Sequence, residues 1–417
     1  MREMSNQYKK TKFGLIPNDW EIKKLKNIGN STIGLTYSPK DVVDEEGILV
    51  LRSSNIKDGR LSFQDNVYVK KNVPEKLLLK KGDILVCSRN GSRSLIGKNV
   101  LITEDTNYTF GAFMLVFRSK YNEYLYQLFQ TNMYQKQIQA NLGATINQIT
   151  TKDLNSFQFP FPKSEKEQKK IISILSTWDK AIELKEKLIE QKKELKKGLM
   201  QKLLTGEVRL PGFEEEWEEV KLGELGDFKT SSVDKKVNKN DIEILLVNYM
   251  DVYRNRVIDN TIDFMKVTAT EKQIETFNVQ YGDVLFTPSS ETPDDIGHSA
   301  VVKVDSAKIL YSYHLVRLRF KREMDVDFKA YVFNSSNLLR EFSKRATGAT
   351  RYTLSLSDFK ESTIRIPKDI TEQKAIGTVL LNSEREIRLL KKELEMLKQQ
   401  KKGLMQLLLT GKVRVKV

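Results

Sequence analysis

The side chains best placed to do chemistry are polar ones gathered in loops, and their types suit reading a partner rather than transforming it. In the first half they are Arg52, Ser53 and Asn55, then Arg89, Asn90, Ser92 and Arg93, then Thr145, Asn147 and Gln148. In the second half the matching loops carry Asn248 and Tyr249, then Thr287, Ser289 and Ser290, then Thr350, Arg351 and Tyr352. Arginine, asparagine and glutamine make paired hydrogen bonds to base edges, and serine and threonine suit bases or phosphates. Arg93 and Arg351 follow a glycine by two or three positions and fit a phosphate clamp equally well. Solvated loops use the same residue types, so the assignment rests on recurrence in both halves.

Reactive constellations are missing by contrast. Methyl transfer to adenine needs a glycine-rich cofactor loop and an Asn-Pro-Pro-aromatic or similar amine-holding motif, and neither occurs. Gly91-Ser92-Arg93-Ser94-Leu95-Ile96-Gly97-Lys98-Asn99 has one residue too many for a phosphate loop and ends in Asn, where magnesium ligation wants Ser or Thr. Cys87 is the only cysteine and His298 and His314 are the only histidines, which excludes a disulfide and a Cys/His zinc site. The histidines read as structural or loop residues, with His298 a secondary candidate for a DNA contact. Pairs such as Glu167 with Lys169 lie in a segment dense in both charges and do not define a nuclease.

With 417 residues the chain can hold two or three domains, each with its own core. A formal charge of +15 and a pI near 9.4 favour a polyanionic partner. That charge is uneven: residues 1–163 carry +9, whereas residues 205–370 carry −4, so any basic face in the second half must be local. No apolar run approaches the ~20 residues of a membrane span, and Met1 to Lys12 lacks the apolar core of a signal peptide, so a cytoplasmic, membrane-free protein is expected.

The elements that must position the loops appear through an internal repeat. Glu167-Gln168-Lys169 aligns with Glu372-Gln373-Lys374, Lys196-Lys197-Gly198-Leu199-Met200-Gln201 with Lys401-Lys402-Gly403-Leu404-Met405-Gln406, and Leu204-Thr205-Gly206 with Leu409-Thr410-Gly411. The offset is 205 throughout, without a gap. Apolar residues at Ile171, Leu175, Trp178, Ile182, Ile189, Leu199 and Leu203 step by fours and threes, which predicts one long helix, and the second copy keeps the register. Lys185, Lys192 and Lys196 fall at seam positions, so they should face leucines of the other copy, the two helices pairing antiparallel as a coiled coil. Ser164 and Thr371 are the expected N-caps and the two Thr-Gly pairs the stops. Lys192, Lys193, Lys196 and Lys197 read as solvating the coiled coil rather than touching DNA. Leu199, Met200, Leu203 and Leu204, with Leu404, Met405, Leu408 and Leu409, exceed what one seam buries and predict a subunit interface.

The flanking halves repeat too. Short strands are expected at 47–52, 83–87 and 113–118, and again at 243–248, 283–287 and 315–320. Gly82-Asp83 and Gly282-Asp283 open the middle strand of each set. An amphipathic helix follows in each (about 123–140 and 328–345), leading to Gly143-Ala144-Thr145 or Gly348-Ala349-Thr350. The predicted organisation is a globular domain at 1–163, a helix at 164–206, a second globular domain at 207–370 and a last helix at 371–417. The duplication implies a pseudo-twofold axis, with α/β (α+β) domains separated by the coiled coil.

This ordered set of motifs, with the Ile16-Pro17-Asn18-Asp19-Trp20 entry, resembles the specificity subunits of type I restriction-modification systems over essentially the whole chain. The resemblance implies a non-catalytic subunit of a prokaryotic defence complex, with two target-recognition domains each reading half of a split duplex DNA site. It further implies that the long helices set the spacer and dock two methyltransferase subunits, through which restriction subunits join. S-adenosylmethionine, ATP and magnesium would then sit on those partners. The rival readings are a solitary DNA-acting enzyme, which the missing motifs oppose, and a coiled-coil adaptor with protein partners only, which leaves the divergent loops unexplained.

Overall fold

The computed structural model describes residues 7–143 and 147–417. The chain divides into two compact units, one formed by residues up to Lys185 together with Glu393–Val417, the other by Glu186–Lys392.

In the first unit the order is β1 (Glu21–Lys24), β2 (Asn30–Ile33), β3 (Ile48–Leu51), β4 (Ile84–Cys87), β5 (Asn99–Leu101), β6 (Thr109–Phe110), β7 (Met114–Arg118), α1 (Asn122–Phe129), α2 (Asn132–Asn141), α3 (Thr151–Ser156), β8 (Gln158–Phe161) and the start of α4 (Glu165–Thr205). The main sheet runs β5-β4-β7-β2 with every pair antiparallel. Strand β4 is apolar at every position because it is covered on both faces. Ile84 and Val86 pack with the helical layer that includes Leu125, Ile171 and Leu408, while Leu85 and Cys87 point into a second core with Leu49, Leu51 and Phe110. Alternation along one strand thus joins two cores.

The second unit repeats the plan with β9 (Glu218–Lys221), β10 (Gly226–Thr230), β11 (Ile242–Val247), α5 (Tyr249–Arg254), β12 (Val257–Ile258), β13 (Val284–Phe286), β14 (Ser289–Ser290), β15 (Ser299–Val302), β16 (Ser306–Tyr311), β17 (Val316–Phe320), α6 (Val326–Val332), α7 (Ser336–Arg345), β18 (Tyr352–Thr353), α8 (Leu356–Glu361), β19 (Thr363–Ile366) and α9 (Ile370–Leu408). Its main sheet is β10-β17-β13-β15-β12. Val284 and Phe286 face the helical layer and Leu285 the other core, as in β4. The Gly-Asp pair before each middle strand is structural. Gly82 and Gly282 take φ of +87° and +85°, which only glycine adopts without strain. Asp83 then accepts a two-pronged bond from Arg118 at 2.9 and 2.8 Å, and Asp283 one from Arg319 at 3.0 and 2.8 Å.

Each unit takes one end of each long helix. In the first, Lys185 pairs with Glu393 at 2.9 Å and Lys401 with Asp179. In the second, Lys192 pairs with Glu386 at 2.7 Å and Lys196 with Glu384 at 2.6 Å. Partner numbers fall as helix numbers rise, so the helices run antiparallel in both units. The seam lysines therefore meet carboxylates rather than the leucines expected from the heptad. The long lysine stem lies along the seam while its ammonium reaches a charge on the facing helix.

The repeated Glu-Gln at each helix start acquires a physical reason. Glu167 and Glu372 are both only 1% exposed. Glu167 accepts Trp20 Nε1 at 3.3 Å and a fork from Arg414 at 2.6 and 2.9 Å; Glu372 accepts Trp217 Nε1 at 3.3 Å and a fork from Arg209 at 2.6 and 2.7 Å. Gln168 and Gln373 donate to the carbonyls of Pro162 and Pro367 at 2.8 Å. Arg209 and Arg414 stand three residues past the helix-ending glycines, so a rod's exit is locked to a rod's entry within each unit.

Several expectations shift. The six predicted strands are present within a residue of their expected ends. Each expected amphipathic helix is two, broken at Gln130–Thr131 and Phe333–Ser335, where Thr131 and Ser335 take extended backbone and restart the chain as α2 and α7. Ser164 caps α4, its Oγ accepting the Glu167 N–H at 3.3 Å, but Thr371 lies inside α9 and Asp369 caps instead, accepting the Thr371 N–H at 2.7 Å. Tyr8–Thr11 pairs with Gly14–Pro17 as a hairpin, and Tyr8 donates to the Gly411 carbonyl at 3.1 Å. The expected subunit-interface residues are spent internally. Leu203 and Leu204 belong to the second unit's core with Leu199 and Met200 against it, and Met405, Leu408 and Leu409 belong to the first unit's core with Leu404 against it. A rod's end must seal the base of a domain as well as its seam, which accounts for the apolar surplus.

Candidate nucleic-acid interface

In the first unit the polar loops converge on one groove of ≈ 1180 Å³, walled by Arg52, Ser53, Arg89, Asn90 and Asn147 and backed by Tyr37 and Phe113. The loop after β4 supplies Arg89 and Asn90, and residue 89 bridges to Gln148 in the segment after α2. Asn90 donates to Ser53 Oγ at 2.9 Å, and Asn147 donates to the Gly91 carbonyl at 2.9 Å, so three loops are cross-tied. Arg89 is exposed and lies over the Phe113 ring at 5.0 Å, which holds the guanidinium flat and ready to stack or donate. Arg52 is paired to Asp65 at 2.8 Å.

Not every residue named from the sequence reaches this groove. Asn55 is fully buried: its Oδ1 accepts the Arg52 N–H at 2.9 Å and its Nδ2 donates to the Ser62 carbonyl at 3.0 Å, so it holds the loop. Ser92 and Arg93 are exposed beyond the groove, Arg93 donating to Gln139 Oε1 at 3.3 Å. Thr145 lies outside the described residues.

The second unit assembles a different set on the same frame. Strand β14 pairs with β18, placing Ser289 opposite Thr353 and Ser290 opposite Tyr352. Arg351 donates to Ser289 Oγ at 3.2 Å, and Tyr249 donates to the Ser289 carbonyl at 2.9 Å. Tyr249 and Tyr253 sit one turn apart on α5 with rings stacked at 5.9 Å. Tyr253 donates to Asp295 at 2.9 Å and meets the edge of His298, itself 2.8 Å from Asp295. Burial raises the Tyr249 hydroxyl above the ordinary tyrosine value, and the bond to Asp295 raises that of Tyr253, so both stay protonated donors. Burial lowers His314, as do the cations Lys235 and Arg351. Thr287 is fully buried and Ser290 nearly so, leaving them to hold strands, and Asn248 heads α5 with its side-chain Oδ1 unpaired while its N–H donates to Asp251 at 2.8 Å. Thr350 is exposed.

Both halves thus carry, on one repeated scaffold, a surface of arginine, amide, hydroxyl and aromatic groups that differs between them. The comparison with known proteins decides what that means: residues 17–194 and 214–399 each match the type I restriction modification DNA specificity domain. The chain belongs to that family. It is 23% identical over 375 residues to the EcoKI specificity subunit of Escherichia coli (strain K12), covering 85% of this chain and 80% of that one. To the MjaVIII specificity subunit of Methanocaldococcus jannaschii it is 27% identical over 425 residues, covering 96% and 94%. In fold it is similar to a chain solved in work on complex assembly and conformational transition of the type I R-M system, with a TM-score of 0.62 and 16% identity over 95% of this chain and 99% of that chain. The S subunit from M. genitalium gives a TM-score of 0.55 at 17% identity, covering 94% and 96%.

As a type I specificity subunit the chain recognises DNA, and such subunits are non-catalytic. Among the described residues no helix is long and apolar enough to cross a membrane. Sequence reasoning named His298 but missed Tyr253 and Asp295 beside it, and Phe113 beneath Arg89. The signal available for Tyr253 was the i, i+4 spacing of Tyr249 and Tyr253, which places both rings on one helix face.

Proposed function

We infer that this specificity subunit reads a bipartite duplex site, the first half by the groove of Arg52, Ser53, Arg89, Asn90 and Asn147 with Gln148 beside it, the second by Tyr249, Ser289, Arg351 and Tyr352. The observation that carries this is the pair of dissimilar polar readers built on one repeated frame. A duplicated frame with identical loops would read a symmetric site; dissimilar loops read an asymmetric one. Residues 1–163 and 207–370 act as the two recognition domains and the helices of 164–206 and 371–417 as spacer. Methyltransferase subunits, two per chain, dock on those helices, and restriction subunits join through them. Leu184, Leu195, Leu389 and Met396 support this docking, since each is about half exposed on the long helices and exposed apolar side chains on a helix suit a protein partner. S-adenosylmethionine, ATP and magnesium are held by those partners in the cytoplasm of a prokaryote, and methylation and cleavage take place there.

Long-read methylation profiling tests the reading, comparing a host that expresses this chain beside a methyltransferase with the same host lacking the chain. A new split motif methylated on both strands, lost on deletion, is expected. An unchanged methylome with a complex shown to assemble would refute it and favour an adaptor role.

A further inference from the structure

The second unit contains a cleft that base reading does not use. It has a volume of ≈ 670 Å³ and lies between the two long helices and the α6–α7 junction. Its floor is apolar, made by Met200, Leu204, Leu339 and Ile387, and its rim is cationic. Two rim lysines are neutralised locally, Lys196 by Glu384 and Lys193 by Glu190, each at 2.6 Å. Lys197, Arg388 and Lys391 have no carboxylate at ion-pair distance among the described residues, and Arg256 makes no direct ion pair although its charge acts on the Glu384 carboxylate of the same cleft. Arg256 lies over the Tyr331 ring at 5.5 Å, and its Nη1 is buried without a hydrogen-bond partner. A buried guanidinium nitrogen left unpaired is costly, and a ligand acceptor would satisfy it.

The cluster draws one cation, Arg256, from residues 205–370, which carry a net −4, and the others from the two long helices. It is specific to the second unit. Under the 205-residue offset, Arg388 and Lys391 correspond to Glu183 and Glu186, so the same helical positions carry opposite charge in the first copy of the repeat. Lys193, Lys196 and Lys197 correspond to Lys398, Lys401 and Lys402 and are shared. On the helices the asymmetry therefore comes from two substitutions on one face of α9, one turn apart, facing three lysines that both copies keep.

We propose that this cleft is an anion site that takes a phosphate-bearing ligand, and that the first copy of the repeat has no counterpart. Arg256 and Arg388 offer planar donor forks and Lys197 and Lys391 compact charges, a mixture suited to the several oxygens of phosphate. Ser335 and the first free N–H groups of α7 border the same cleft and favour an anion in the same direction. Phosphate of this kind is carried by the DNA backbone or by a soluble nucleotide. The backbone source is supported by the chain itself: Arg256 follows Tyr253 by three residues, so α5 links the cleft to the second reader.

The test uses the full-length chain and two variants placed on different elements, Arg388→Glu with Lys391→Glu, which copies the first repeat, and Arg256→Gln. Circular dichroism verifies that each is folded. Binding of inorganic pyrophosphate is read by calorimetry and binding of a 30-base-pair duplex by fluorescence anisotropy across salt. Pyrophosphate binding by the wild type, weakened at least tenfold in both variants, establishes the site. If the slope of log affinity against log salt for the duplex also flattens, by roughly 0.9 per lost phosphate contact, the source is the DNA backbone; an unchanged slope assigns a soluble phosphate compound. Pyrophosphate binding that is absent or equal in all three proteins overturns the proposal, including the case in which the variants lose only an acidic protein partner. Failure of the base-reading assignment shows instead as an unchanged methylome and leaves the pyrophosphate result standing.

Discussion

Truncating Arg209 to alanine tests the lock between rod exit and rod entry. Glu372 is 1% exposed and accepts Arg209 Nε and Nη2 at 2.6 and 2.7 Å, with Trp217 Nε1 at 3.3 Å as the one further side-chain donor among the described residues. The variant leaves a carboxylate inside the fold with a single indole N–H. Removing one member of a buried pair costs about 3–5 kcal/mol, and because the Arg209 side chain is 26% exposed the lower end applies, about 3 kcal/mol. In a unit of roughly 200 residues each kcal/mol moves the midpoint by about 2–4 °C, so the second unit should melt about 6–12 °C lower. Differential scanning calorimetry reads the midpoint, and hydrogen exchange by mass spectrometry places the damage. Exchange should accelerate in β9, β19 and the start of α9, while β1 and β8 keep their wild-type rates. Arg414→Ala should produce the mirror result in the first unit, where Glu167 loses its fork. A midpoint shift under about 2 °C, or exchange that rises evenly across both units, would refute the reasoning.

Three further outcomes are expected. Lys329 is buried, donates to the Gly282 carbonyl at 3.0 Å and sits 3.7 Å from the Phe320 ring centroid, and burial lowers it to about 8. A lysine depressed in the fold takes up a proton more readily once unfolded, so the second unit gains stability as pH rises from 8 toward the ordinary lysine value. Relative to Lys329→Met, the wild type should gain about 1.4 kcal/mol between pH 7 and 9 in urea melts, and a constant difference would contradict this. Arg89→Ala should relax the first half-site of the methylated motif and Arg351→Ala the second, each leaving the other half intact; loss of both halves together in either variant would speak against separate readers. Inserting four residues, one turn of ~5.4 Å, at matching points in both long helices should lengthen the spacer by one or two base pairs at ~3.4 Å each, and methylome sequencing that finds the original spacer would exclude a ruler.

Much of the architecture could be read along the chain. Periodicity with a gapless 205-residue offset specified two long helices, and apolar runs such as Ile84–Cys87 specified strands, whose burial on both faces came only with the fold. Helix breaks at Thr131 and Ser335 escaped because the apolar period continues through them, and the N-cap moved from Thr371 to Asp369 because both residues can cap. The readers were half legible: Arg89, Asn90 and Asn147 converge, yet Asn55 and Thr287 have the same polar types and lie buried.

What the sequence determined alone is therefore whatever depends on local period and on repetition: the rods, the duplicated frame, the divergence of the loops and the absence of catalytic motifs. Only tertiary structure decided which polar residues hold a loop and which face outward, why the apolar surplus at Leu203 and Leu408 seals domain bases, and that Arg209 and Arg414 neutralise glutamates 163 and 247 residues away. Polarity and charge are properties of a residue, but burial and partnership belong to pairs of segments brought together by folding, and no local pattern encodes which pairs those are.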